Sequence, residues 1–191
     1  MSRLKFFIPV IIFVLVGVPL YFVDNKNSTI LPSVLVGKPF PAFALPSVEL
    51  PVKTITEKDI TGEYALVNVW GTWCINCRIE HPYLMELKNR GVKIIGINSN
   101  DEDQAAAREW LAKLGNPAVF NIADIDNTLG IDLGVYGAPE TFLINPNGEI
   151  LYRHVGEMNE RVWQNEFLPK MDNAIADKTE LSQTEANQID E

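Results

Sequence analysis

The chain has 191 residues, of which 47% are hydrophobic and 21% are charged, and its formal net charge is −9. These are the proportions of a globular protein with one ordinary domain, a proper core and some appendages. The acidic balance argues against nucleic-acid binding, because phosphate contacts need clustered lysine and arginine side chains.

The first predicted element is an N-terminal membrane helix. Residues 6–23 carry no charge, and about eighteen apolar residues are just enough to cross a bilayer core. Because Arg3 and Lys5 precede this run, the positive-inside rule predicts residues 1–5 in the cytoplasm and the rest of the chain outside. A cleaved signal peptide is the alternative, but we find no small-x-small cleavage signature near residues 20–30. We therefore expect an uncleaved anchor, followed by a polar linker at residues 24–33.

Residues 34–171 alternate between strand and helix patterns. The apolar run at 64–70 predicts a central strand covered on both faces, and apolar spacing at 75–89 predicts a helix. The other expected elements are an extended, proline-containing segment at 35–46, strands at 92–98, 118–122, 141–144 and 149–155, helices at 101–114, 127–133 and 159–171, and a hairpin turn at 145–148. This order predicts a thioredoxin-type α/β domain, a central mixed sheet with helices on both faces. The polar, acidic residues 172–191 predict a disordered tail.

The chemistry of the chain is concentrated in its only two cysteines, Cys74 and Cys77. A C-x-x-C pair that follows a strand and opens a helix is typical of redox sites. Two thiols at this spacing can close a disulfide and reopen it, and so deliver two electrons. Because a helix N-terminus favours thiolate over thiol, we predict Cys74 as the exposed nucleophile and Cys77 as the more buried resolving thiol.

Three other interpretations of the pair are weaker. A c-type haem attachment motif needs His after the second Cys, where this chain has Arg78. A structural zinc site usually needs four ligands, and only His81 and His154 could complete one. A structural disulfide ordinarily links distant segments, because so small a loop constrains little in the unfolded chain. We expect no metal and no cofactor.

Longer motifs make the pattern more specific. The segment Trp73–Cys77 after an apolar strand, with Gly137–Pro139 ahead of a hairpin, resembles the thioredoxin-fold oxidoreductases. Within that superfamily, residues 77–82 (CRIEHP), 134–144 (GVYGAPETFLI) and 152–156 (YRHVG) resemble the DsbE/CcmG group. Proteins of this group are membrane-anchored periplasmic reductants of cytochrome c maturation.

The resemblance covers about residues 33–171 together with the anchor, and it implies a function. The protein would reduce the disulfide of an apocytochrome c, or of a maturation thiol protein that carries it, in the bacterial periplasm. An inner-membrane donor of the DsbD/CcdA kind would supply the electrons. A thiol oxidase or isomerase of the same fold, and a non-catalytic module that only binds apocytochrome, are the alternatives. A peroxiredoxin-like peroxidase is weaker still, because its reactive cysteine stands in a different loop context.

The resemblance also implies roles for two residues beside the pair. Trp73 is expected to form an apolar wall next to the cysteines, or simply to pack. Pro139 is expected to be a cis-proline against the disulfide, where it offers no backbone N–H and lets Ala138 pair with the incoming chain.

Two carboxylates complete the expected site. Thioredoxins carry a buried Asp on the strand before the cysteines, where this chain has Asn68. The resemblance therefore points to Glu80 and Glu140 as the acids near the thiols, unless they are a solvated helix residue and a turn residue. A carboxylate there raises thiol pKa values by like-charge repulsion and favours a reducing pair.

Overall fold

A computed structural model describes residues 13–15, 18 and 35–176, and residues 35–176 form a sheet flanked by helices. No helix among the described residues is long and apolar enough to cross a membrane. The predicted anchor at 6–23 lies outside them except for residues 13–15 and 18, which are helical. The linker at 24–33 and residues 177–191 of the predicted tail also lie outside them.

Two sheets account for the strands of the described residues. A short hairpin pairs β1 (Ala44–Pro46) with β2 (Thr54–Thr56). The central sheet contains β3 (Ala65–Trp70), β4 (Ile94–Ser99), β5 (Asn121–Asp124), β6 (Glu140–Ile144) and β7 (Ile150–Val155). Its order is β5-β4-β3-β6-β7, parallel from β5 to β3 and antiparallel from β3 to β7. The predicted central mixed sheet is therefore confirmed.

The helices follow the predicted order. They are α1 (Ile75–Asn89), α2 (Gln104–Leu114), α3 (Thr128–Asp132) and α4 (Glu160–Val162). After α4 the chain continues through a π-helical turn at Trp163–Phe167 and remains helical to residue 176. Residues 172–176, which the sequence assigns to the tail, thus belong to this helix. Ala174 and Ala176 favour helix there.

The central strand β3 is buried at all six positions because both faces of the sheet are covered. Successive side chains of a strand point to opposite faces. Val67 packs in a cluster with the hairpin and α3, whereas Leu66 packs in a cluster with Leu84 and Leu87 of α1. The residues that follow β3, including the two cysteines, are therefore anchored to a fully covered strand.

The predicted strand at 118–122 is wrong in its bounds, since β5 runs from Asn121 to Asp124. The residues at both ends of β5 are polar, so the apolar pattern of the sequence did not indicate where the strand begins and ends. Both are buried with hydrogen-bond partners: Asn121 donates to Glu49 Oε1 at 2.6 Å, and Asp124 accepts from the Gly130 N–H at 2.8 Å. A satisfied polar side chain can be buried at little cost, so polarity alone did not mark the exposed positions.

A hydrogen bond crosses the sheet above Gly96 of β4. The Trp70 indole Nε1 on β3 donates to Asn121 Oδ1 on β5 at 2.9 Å. A Cβ at Gly96 would collide with Asn121 Oδ1 and lie 2.9 Å from Trp70 Nε1. We therefore predict that Gly96→Ala lowers the free energy of unfolding by about 2 kcal/mol, measured by urea denaturation.

Gly137→Ala is the control, because a Cβ there would meet no atom within 4 Å. Equal stability of the two variants would contradict the assigned role of Gly96.

Candidate active site

The two cysteines form a disulfide at the start of α1. The S–S distance is 2.01 Å and the Cα–Cα distance is 5.3 Å. Cys74 caps the helix, and its Sγ accepts a hydrogen bond from the Cys77 backbone N–H at 3.0 Å. The first sulfur of the pair therefore lies where unpaired N–H groups and the helix dipole favour negative charge.

The prediction of an exposed Cys74 is wrong for this disulfide form. Cys74 is 5% exposed and Cys77 is 2% exposed. Both pack in a cluster that includes Trp70 and Trp110, with Ala138 against it. Because so little sulfur surface is open, a partner must fit closely around Cys74 to reach it.

Trp73 lies beside the pair as an exposed aromatic side chain. It is 53% exposed, and its indole Nε1 donates to the Ser99 backbone carbonyl at 3.2 Å. Its ring lies against Gly71, where any Cβ would collide with it. The ring is therefore held in place against the turn before Cys74, while about half of the side chain stays exposed.

The Ala138–Pro139 peptide bond is cis, as the resemblance implies. Pro139 directly precedes β6, and Ala138 packs against the cluster that contains both cysteines. This segment forms one side of a groove with a volume of about 140 Å³. The groove is lined by Val69, Trp73, Ser99, Asn100, Asn127, Val135, Tyr136, Gly137 and Ala138.

Glu80 is a buried acid near Cys77. It is 2% exposed and lines a small cavity together with Cys77 and Asn68. Asn68 Nδ2 donates to its Oε1 at 2.8 Å, and the Met158 N–H donates to its Oε2 at 2.7 Å. Burial raises the pKa of Glu80 from 4.5 to about 7, although these hydrogen bonds oppose the shift. Glu80 can therefore exchange a proton near neutral pH, and its burial rules out the alternative that it is a solvated helix residue.

Glu140 is also buried, but it is paired. Its Oε2 lies 2.7 Å from Arg153 Nε and 2.6 Å from Arg153 Nη2, and its Oε1 accepts from the Tyr136 N–H at 3.2 Å. Burial raises the pKa of Glu140, whereas the charge of Arg153 opposes that rise. The two predicted carboxylates thus differ, because Glu80 has only neutral hydrogen-bond donors and Glu140 has a guanidinium.

Arg153 is a site residue that sequence reasoning missed. The register of the β6–β7 hairpin identifies it. Arg153 on β7 pairs with Phe142 on β6, and Glu140 stands two residues from Phe142. Residues at this diagonal spacing share a face of the sheet and lie within reach of a long side chain.

The two histidines have other partners. His81 Nε2 lies 3.2 Å from the Leu114 backbone carbonyl, and burial lowers the pKa of His81. His154 Nδ1 lies 2.8 Å from Glu166 Oε2. Within the part of the chain that the structure describes, no group of three or more His, Cys, Asp or Glu side chains could hold a metal ion.

A C-x-x-C disulfide at a helix N-terminus, with a cis-proline segment beside it on a mixed sheet, defines a thioredoxin-fold thiol–disulfide oxidoreductase. The chain belongs to the Redoxin family, whose model matches residues 35–175, and within it to the DsbE-type thiol:disulfide interchange proteins.

Two curated relatives support this assignment. Thiol:disulfide interchange protein DsbE of Pseudomonas aeruginosa is 51% identical over 169 residues, which are 88% of this chain and 93% of that protein. Thiol:disulfide interchange protein DsbE of Escherichia coli K12 is 45% identical over 175 residues, 88% of this chain and 94% of that protein.

Solved structures support the same fold. A Chlorobium tepidum protein provisionally assigned as DsbE is 28% identical with a TM-score of 0.59, covering 70% of this chain and 95% of that one. A secreted thiol-disulfide isomerase from Corynebacterium glutamicum is 22% identical with a TM-score of 0.61, covering 70% of this chain and 85% of that one. The similarity to the Corynebacterium glutamicum protein supports the fold alone.

The raised pKa of Glu80 predicts a pH-dependent stability. The folded protein holds the Glu80 proton between about pH 4.5 and pH 7 while the unfolded chain releases it, so this group makes the fold less stable as pH rises. In Glu80→Gln this loss is absent. The free energy of unfolding of Glu80→Gln relative to the unsubstituted protein should therefore increase by roughly 3 kcal/mol between about pH 4 and pH 8.

Denaturation of the disulfide form at a series of pH values measures this difference. Glu109→Gln, which changes an exposed acid of α2, is the control and should show no such trend. A difference that stays flat for Glu80→Gln across this range would mean that the pKa of Glu80 is the same in the folded and unfolded states.

Proposed function

We propose that this protein is a membrane-anchored periplasmic reductant that reduces disulfides in apocytochrome c, or in a thiol protein that carries it, during c-type cytochrome biogenesis. The observation that carries the proposal is the buried, protonatable Glu80 behind a helix-capping cysteine pair. The motif at residues 134–144 supports the choice of this group among the thioredoxin-fold oxidoreductases.

The reaction is two exchanges of sulfur partners. The Cys74 thiolate attacks one sulfur of the partner's disulfide; a mixed disulfide forms, and the partner's other sulfur leaves as a thiolate. Cys77 then attacks Cys74 Sγ, which closes the 74–77 disulfide and releases the second partner thiol. Two electrons pass to the partner, which takes up two protons, and this protein is oxidised.

In this proposal Glu80 serves the second exchange. Cys77 must lose its proton before it attacks, and Glu80 lines the same cavity as Cys77. A carboxyl group with a pKa of about 7 can accept that proton and later return it near neutral pH. Before the exchange, the negative charge of ionised Glu80 disfavours thiolates nearby. This makes the dithiol form a stronger reductant.

Glu140 serves a different purpose in this proposal. Its contacts with Arg153 and the Tyr136 N–H hold the segment that ends at Pro139. That segment borders the groove that Trp73 lines on its other side. An extended chain of the partner, lying in this groove and pairing with Ala138, would bring its disulfide to Cys74.

The remaining parts of the proposal concern location and electron supply. The apolar residues 6–23 would anchor the protein in the bacterial inner membrane as a single span. A bacterial periplasm is kept oxidising, so a reductant there needs electrons from across the membrane. A DsbD/CcdA-type membrane donor would supply them by reducing the 74–77 disulfide.

The reverse direction, thiol oxidation or isomerisation, is the second candidate. The hydrogen bond from the Cys77 N–H to Cys74 Sγ favours a thiolate, which in itself makes a pair more oxidising. Glu80 opposes this effect because it is a buried acid with no cationic partner among the described residues. We therefore prefer the reductant.

Cysteine variants test the proposal in cells that lack their own copy of the protein. We predict that Cys74→Ser abolishes haem attachment to c-type cytochromes. Cys77→Ser should accumulate a mixed disulfide between Cys74 and apocytochrome or its thiol partner, because the second exchange cannot occur. Immunoblots under non-reducing conditions and haem staining measure both outcomes.

The double variant Cys74→Ser/Cys77→Ser is the control for trapping and should hold no partner. Full haem attachment in the Cys74→Ser strain would contradict the redox role and leave only a binding role.

A further inference from the structure

A buried carboxylate that the exchange mechanism does not use lies next to the turn before Cys74. Asp101 stands two residues after the end of β4 and is 5% exposed. The carboxyl ends of β3 and β4 are adjacent, because the strands are parallel with Trp70 opposite Asn98. The segments that leave the two strands therefore meet at the same edge of the sheet, and one of them leads to Cys74.

Asp101 holds that segment by both of its oxygens. Its Oδ2 accepts from the Thr72 backbone N–H at 2.7 Å, and its Oδ1 accepts from the Thr72 hydroxyl at 2.9 Å. The turn is closed by a hydrogen bond from the Cys74 N–H to the Gly71 carbonyl at 3.1 Å. Since Thr72 lies inside this turn, fixing Thr72 fixes the position of Cys74 at the N-terminus of α1.

The charge of Asp101 has no cationic partner. Asn98 Nδ2 donates to Oδ2 at 3.0 Å, and Gln104 Nε2 donates to Asn98 Oδ1 at 2.8 Å. All of the donors to Asp101 are thus neutral, and no ion pair within the described residues includes it. A buried negative charge without a counter-charge acts on its surroundings with little screening.

We propose that Asp101 is a positioning residue of the redox pair. It holds the turn before Cys74 through Thr72, and its charge disfavours the Cys74 thiolate. The dithiol form is then a stronger reductant than the helix N-terminus alone would make it. The inference rests on the proposed assignment of Cys74 as the attacking thiol.

Asp101→Asn separates the charge from the contacts. The asparagine oxygen can still accept from the N–H groups of Thr72 and Asn98, and its amide can donate to the Thr72 hydroxyl. We predict a near-normal thermal midpoint but a lower pKa of the Cys74 thiol. Alkylation of the reduced protein by iodoacetamide below that pKa should become roughly threefold to tenfold faster.

The equilibrium with glutathione gives an independent readout. Above the thiol pKa, Asp101→Asn should favour the dithiol form by roughly threefold to tenfold more than the unsubstituted protein does, equivalent to about 14 to 30 mV. Glu102→Gln is the matched control, since it removes an exposed charge from the neighbouring residue. It should change neither the alkylation rate nor the equilibrium.

Thr72→Val should change the alkylation rate of Cys74 in the direction opposite to Asp101→Asn. It removes the hydroxyl donor to Oδ1 while the charge of Asp101 stays, so Cys74 should alkylate more slowly than in the unsubstituted protein. A role limited to holding the turn would leave Asp101→Asn, which keeps the contacts to Thr72, indistinguishable from Glu102→Gln. If Asp101→Asn does not fold, alkylation of Thr72→Val that is as fast as normal overturns the inference.

The outcomes also separate this inference from the proposed function. Mass analysis of the alkylated peptides identifies which cysteine reacts first. Label on Cys77 first would overturn the assignment of Cys74 together with this inference. Label on Cys74, with Asp101→Asn indistinguishable from Glu102→Gln, would overturn this inference alone.

Discussion

The hydrogen bond from the Cys77 N–H to the Cys74 sulfur is the contact on which the site depends. It places a reactive sulfur at the N-terminus of α1, where the helix favours a thiolate. In our proposals, two buried acids with only neutral donors act in the opposite direction: Glu80, which accepts from Asn68 and Met158, and Asp101 beside the turn. The balance of these effects decides whether the pair gives or takes electrons.

The sheet brings these groups together because three of its strands end or begin at the same edge. The chain leaving β3 carries Cys74, the chain leaving β4 carries Asp101, and Pro139 directly precedes β6. A central strand that is buried at every position gives the cysteines a rigid base. Because the sulfurs are themselves nearly covered, the proposed function requires a partner that fits the surface formed by Trp73 and the segment before Pro139.

The sequence was most informative where local pattern and chemistry coincide. Helix α1 has the predicted bounds, since apolar spacing begins at the cysteine pair and ends at Asn89. The predicted helix at 101–114 includes Asp101, but α2 begins at Gln104 and Asp103 caps it, accepting from the Ala105 and Ala106 N–H groups. Asp101 was missed because its partner Thr72 lies 29 residues away.

The pairing of Glu140 with Arg153 was missed for a similar reason, since it depends on the register of β6 and β7.

The midpoint potential of the Cys74–Cys77 couple, titrated against a series of glutathione ratios and read by thiol alkylation, tests the central claim directly. A pair whose buried acids outweigh the helix N-terminus should have a potential more negative than about −210 mV, below the range of the glutathione poise of an oxidising compartment. A potential near about −120 mV, as in the strong oxidants of this fold, would contradict the account, because the helix N-terminus would then dominate.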